Sequence, residues 1–135
     1  MSELVPSTGP SRQLLYITQL VYFLHGLSIL IGVMAGGTVI TAFLFGWPSI
    51  VAVILNYVMR SDARGTYLES HFSWQIRTFW YGMIWTFLVA IVGLLLAPFV
   101  IGPFIWIGGF VVLGIWVGYR IAFGWVRLRQ DRAVF

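Results

Sequence analysis

Charged residues cut the chain into two long apolar tracts. Between Arg12 and Arg60 lie 47 uncharged positions, Gln13 to Met59, and between Arg77 and Arg120 another 42, Thr78 to Tyr119. A helix that crosses a bilayer takes about 20 mainly apolar residues, so each tract has room for two spans and a turn. The pattern predicts an all-α integral membrane protein with four transmembrane helices, over 13–34, 38–59, 67–97 and 104–125, paired as two hairpins. Residues 1–12 read as a disordered polar tail and 126–135 as a basic tail.

The turns have their own signals. Ala35, Gly36 and Gly37 allow a tight reversal after the first span, and Pro98, Gly102 and Pro103 mark the second. Pro48, beside Gly46 and Trp47, falls in the middle of the second span. There it removes an intrahelical hydrogen bond, which predicts a kink or a broken helix at Gly46 to Pro48. Thr66 and Glu69 have the spacing of a capping box, so the third helix is expected to start at Tyr67. From there to Ala97 is about 46 Å at the helical rise, some 16 Å more than the roughly 30 Å hydrocarbon layer. Residues 67–77 are therefore expected at the membrane interface as an amphipathic segment, with Tyr67, Leu68, Phe72 and Trp74 meeting headgroups.

Composition agrees with immersion in lipid. Hydrophobic residues make up 60% and charged ones 9%, and the mean hydropathy is +0.94, against about 45–50% and 25% in soluble domains. The net charge of +4 comes from eight arginines and four acids. Because the cations flank spans, they indicate orientation and not nucleic acid. The positive-inside bias puts both termini and the Arg60 to Arg77 loop in the cytoplasm, and both charge-free turns outside. Arginine also suits bidentate contact with lipid phosphate, although juxtamembrane bases attract anionic lipid generically. The polar start lacks the features of a cleaved signal peptide, so the first span is expected to stay as an anchor.

Catalytic chemistry finds little foothold. The chain has no Cys and no Lys, which excludes thiol nucleophiles, thiolate metal sites and a lysine-bearing phosphate loop, and it has no HExxH or Gly-x-Ser-x-Gly motif. Glu69 and His71 point about 200° apart on a helix. No enzyme, cofactor or metal site is expected.

Polar residues inside the spans are the better candidates, since a polar group in hydrocarbon needs a partner. Counted from the basic flanks at the helical rise, Asn56 lies about 6 Å deep, Gln19 about 9 Å, Arg120 about 10 Å and His25 near 18 Å, with Thr86 at a comparable level. His25 reads either as a satisfied structural histidine or as a proton or ligand group. His71, Gln75, Thr78, Gly82 and Thr86 recur at helical spacing as a polar and small stripe, on which the first two helices are expected to dock. Ser28, Gly32 and Gly36 on the first helix, with Gly114, Gly118 and Ala122 on the last, form small-residue faces for packing within the bundle or for self-association.

The stretch from Asn56 to Trp80, with His25-Gly26-Leu27-Ser28 and Trp47-Pro48, resembles a bacterial family of small polytopic membrane proteins of unknown function. That family is grouped by fold and weak similarity with a chloroplast inner-envelope translocon channel subunit. The resemblance spans about His25 to Gly124. Its recurring pattern, a His-x-Leu-Ser, a helix-2 proline, a charged loop and a His followed by Gln-Ile, falls here on His25, Leu27, Ser28, Pro48, His71, Gln75 and Ile76. Many relatives carry Ala-Leu-Asn-Phe before the Gln-Ile, where this chain has Phe72, Ser73 and Trp74. The resemblance implies a four-helix fold in a bacterial inner membrane and no defined activity.

Two functional expectations follow. The first is a non-enzymatic accessory or assembly factor that binds a partner protein or anionic lipid at its cytoplasmic face through His71, Trp74, Gln75 and Arg77. The second is a small oligomeric transporter or channel component with Gln19, His25, Asn56 and Arg120 as a polar path.

Overall fold

A computed structural model of the protein describes residues 9–34 and 39–135, and among them it contains helices and no strand. Helix α1 is Arg12–Met34, α2 Val39–Phe45, α3 Trp47–Met59, α4 Leu68–Leu96 and α5 Ile101–Arg129, with a 3-10 turn at Ala97–Phe99 between the last two. Three of these helices, α1, α4 and α5, are long and apolar enough to cross a membrane. The pair α2 and α3 meets the same test together with a bend of 48°, so the described residues hold three such helices, or four counting this bent pair as one span.

Helix 2 of the sequence is thus broken, and the break lies at Gly46. Its backbone is extended, at φ −69° and ψ 139°, while its N–H still bonds the Ala42 carbonyl at 2.9 Å and its own carbonyl accepts from Ile50 at 3.2 Å. Pro48 sits in the first turn of α3, where its missing N–H was not needed. Ser49, next along, has an N–H that points out of the new helix end. It donates to Ser28 Oγ of α1 at 3.0 Å, so a small polar residue of the neighbouring helix closes the gap that the break opens.

The helix ends differ in other ways from the sequence expectation. Helix α4 begins at Leu68, one residue later than Tyr67. Thr66 Oγ1 accepts from the Leu68 N–H, as a capping residue does, but the Glu69 carboxylate accepts from the Gly65 N–H and not from that of Thr66. The box is therefore stretched by one residue, around a Gly65 held at φ +76°. Helix α5 starts earlier and ends later than 104–125. Four residues of the expected basic tail, Val126 to Arg129, continue the helix.

The remaining six residues fold back as a strap over the start of α4. Val134 N–H donates to Ser70 Oγ at 3.0 Å, Arg77 donates to the Phe135 main-chain oxygen at 2.9 Å, and Tyr67 O–H donates to Asp131 at 3.1 Å. This strap corrects the expected headgroup exposure of residues 67–77. Leu68 and Phe72 are fully buried and Trp74 nearly so; protein covers them, and Tyr67 is half-buried.

The core explains the bundle. Helices α4 and α5 form an antiparallel hairpin, and α1 lies against α2, α3 and α5. Tyr22, Phe43, Leu68, Phe72, Val117 and Leu128 are buried where these helices meet. Apolar side chains such as Ile84, Leu88, Leu95, Val112 and Ile115 stay exposed, an outward apolar belt that suits lipid and not water.

Glycines let the helices approach closely. A Cβ on Gly124 would strike the Tyr22 phenol, one on Gly93 the Trp106 indole, and one on Gly102 the Gly93 carbonyl. Of the small residues singled out from sequence, Ser28, Gly32 and Gly114 are buried, and Gly114 faces Val39. Gly118 has open space around it, Ala122 is exposed, and Gly36 lies outside the described residues. The packing face of α5 runs through Gly114, Val117, Ile121 and Gly124, one step round the helix from the expected one.

Candidate functional site

Polar side chains gather at one end of the bundle, in separate clusters. In the first, the Tyr22 hydroxyl lies 2.8 Å from His71 Nδ1, and His71 Nε2 lies 2.7 Å from the Arg132 carbonyl. A carbonyl only accepts, so Nε2 carries the proton and Nδ1 accepts from Tyr22. The strap thereby sets the histidine tautomer, and α1, α4 and the strap are tied through one fully buried ring.

A second cluster joins α1 to the break. His25 Nδ1 is 3.0 Å from Ser49 Oγ, its ring tilts against Phe43 at 5.0 Å, and its Nε2 has no hydrogen-bond partner. In the third, Asn56 Nδ2 donates to Gln75 Oε1 at 2.7 Å, while Gln75 Nε2 reaches the Thr18 carbonyl at 3.4 Å. Asn56 Oδ1 and Thr86 Oγ1 are, like His25 Nε2, buried without a partner.

The fourth cluster lies on the outer side of the α4–α5 hairpin. Arg120 Nε donates to Thr78 Oγ1 at 2.7 Å, and Thr78 donates in turn to the Trp74 carbonyl. Trp74 Nε1 donates to the Arg120 carbonyl at 2.9 Å. The guanidinium stacks 3.6 Å above the Trp74 ring and 5.0 Å from that of Trp116, contacts whose strength grows as water is removed. One turn pair further along α5, Arg127 lies over Phe123 at 5.3 Å and over Phe135 at 5.4 Å. Arg77, exposed on α4, holds the Phe135 oxygen.

The expected contact residues divide accordingly. His71, Gln75 and Trp74 are internal struts, nine-tenths or more buried, and of the four only Arg77 is exposed. The polar stripe of α4 does receive its neighbours: His71 and Gln75 bond α1 and α3, Thr78 bonds α5, and Gly82 lies against Ile40 and Leu44 of α2. The suggested polar path is not assembled. Gln19 faces outward on α1, His25 and Asn56 have separate partners, and Arg120 belongs to the outer α4–α5 face.

Sequence reasoning missed Tyr22, Ser49, Trp116, Arg127 and Phe135. Tyr22 carried a readable signal, an aromatic hydroxyl within a span, where such a group needs a partner. Outside the spans, burial and the Asp131 carboxylate push the Tyr67 phenol up to about 12.

Among the described residues no three His, Asp or Glu side chains come together as a metal site. A groove of about 460 Å³ among Ile29, Val33, Val39, Phe110 and Ile115 presents apolar walls without catalytic groups. The chemistry on offer is cation and hydrogen-bond donation from the α4–α5 face. No protein-family model, curated protein or solved structure matches this chain.

Proposed function

We propose that the chain is a bacterial inner-membrane protein with both termini and the Arg60 to Arg77 loop in the cytoplasm, acting without catalysis as an accessory or assembly factor. It works by binding at its cytoplasmic face, and the kinship with small polytopic proteins of unknown function is part of this reading. One observation supports it most. Most interior polar side chains bond one another, whereas Arg77, Arg120 and Arg127 form a cationic and aromatic face on α4 and α5 that pairs with no Asp or Glu side chain among the described residues, Arg77 giving one N–H to the Phe135 main-chain oxygen. Binding therefore acts through the arginines of that face, with Trp74, His71 and Gln75 holding it in shape.

The test is crosslinking followed by mass spectrometry in native membranes, comparing the natural chain with a variant in which Arg77 and Arg127 are both replaced by Ala. A discrete adduct at the charged end that falls at least fivefold in the variant supports the reading. An adduct unchanged by the double substitution overturns it.

A further inference from the structure

Arg120 is a cation inside a membrane-spanning helix without an Asp or Glu partner among the described residues. It lies seven residues inward of Arg127 on α5, about 10 Å along the helix axis. Its Nε is used by Thr78 and its guanidinium stacks on Trp74 with Trp116 5.0 Å away, while its two terminal nitrogens bond no described residue. Of the described acids, Glu69 accepts from the Gly65 N–H and Asp131 from Tyr67, and Asp62 lies exposed in the loop after α3. The residue next to Thr78 on α4 is another cation, Arg77.

Arg77 already gives one terminal nitrogen to the Phe135 oxygen, so it is the uncovered donors of Arg120, at the edge of a low-dielectric slab, that call for an anion. A guanidinium stacked on Trp74, with Trp116 close by and its Nε tied, presents one free edge, and that edge is the fork that matches phosphate oxygens. Arg120 is half-buried and Arg77 exposed, so a ligand can reach the fork from outside the bundle. Tyr119, Phe123 and Trp116 surround it, the residue types that settle at headgroup level.

The geometry points to the phosphate of an anionic phospholipid, bound between Arg120 and Arg77 on the outer face of α4 and α5. This deepens the accessory-factor reading, on whose cytoplasmic orientation it rests, by giving that face its ligand. Lipid is the occupant because the site lies within the span and opens sideways, where a headgroup phosphate arrives with its acyl chains already along the apolar belt. A soluble anion would first have to leave water.

The test uses the full chain in detergent, with phosphatidylglycerol or phosphatidylcholine added and bound lipid counted by native mass spectrometry. The natural chain is expected to retain phosphatidylglycerol about tenfold better, the size of a charge-assisted hydrogen-bond pair. Arg120→Gln loses that preference, Arg77→Gln loses a few-fold of it, and Arg12→Gln at the outset of α1 keeps it. Equal retention of the two lipids by the natural chain overturns the site, and is the result expected if an acidic protein segment were the occupant. Full displacement by millimolar inorganic phosphate also overturns it.

Should Arg120→Gln fail to fold, the natural chain decides. Brominated phosphatidylglycerol is expected to quench tryptophan fluorescence at lower mole fraction than brominated phosphatidylcholine, and equal quenching refutes the site. No lipid preference in the natural chain, with its crosslinked partner present, counts against the lipid site alone. The reverse pattern counts against the accessory-factor reading alone.

Discussion

Tyr22 and His71 stand 49 positions apart and share a 2.8 Å hydrogen bond inside the bundle. Removing the hydroxyl in Tyr22→Phe leaves Nδ1 of a fully buried ring without a donor, which costs about 1–2 kcal/mol. Gln19→Leu, on the exposed side of the same helix, is expected within about 0.5 kcal/mol of the natural chain. Thermal unfolding in detergent, followed by near-UV circular dichroism, separates the two; equal midpoints would show the pairing to be energetically idle. The sequence announced that His71 and Gln75 were special, because polar groups at helical spacing in an apolar helix need partners. It misled about the direction in which they act. His71 looks solvent-directed only while residues 130–135 are taken as a free tail, whereas Gln75 is taken up by Asn56 and the Thr18 carbonyl, and the strap that covers His71 depends on a carbonyl and a Ser hydroxyl, groups without a hydropathy signature. Arg120 was legible as a charge in a span, but the aromatic clamp needed Trp74 from another helix.

At the scale of elements, the break between α2 and α3 shows which residue matters. Proline was the visible cause, yet Pro48 occupies a helix first turn that tolerates it, and the backbone departs from helix at Gly46. A Cβ on Gly46 would strike the Ala42 carbonyl and approach Ser28 Oγ at 3.1 Å, the same Oγ that receives the Ser49 N–H. Gly46→Ala should therefore destabilise by about 1–3 kcal/mol through crowding. Pro48→Ala is expected to cost about 1 kcal/mol or less, mainly by loosening the unfolded chain. An ordinary proline kink reverses this order, so the two unfolding midpoints in one detergent decide between the mechanisms. The Gly-Trp-Pro run thus told where the second span is interrupted. It did not tell how, because the compensating partner, Ser28, is supplied by α1 and becomes visible only once the two helices pack.

Across the whole molecule, the hairpins place every described charge toward one end. Thr18, Asn56 and Gln75 share a level through their hydrogen bonds, as do Tyr22, His71 and Arg132, and the opposite end, from Ala97 to Ile101, is apolar and largely exposed. This layout was the most legible property of the chain, since hydropathy accumulates along sequence and needs no knowledge of packing. The orientation proposed from the positive-inside bias can be measured directly, because the chain has no cysteine to interfere. Single cysteines at Arg12, Arg64 and Phe99 all fall on exposed positions. Gly102 is a poor reporter, because a side chain there collides with the Gly93 carbonyl. In intact cells a membrane-impermeant maleimide is expected to label Phe99→Cys, and to reach Arg12→Cys and Arg64→Cys only after permeabilisation. Labelling of Arg64→Cys from outside would place the arginine face in the wrong compartment. The cytoplasmic binding role would then fail, although the bundle itself, held by contacts indifferent to orientation, would stand.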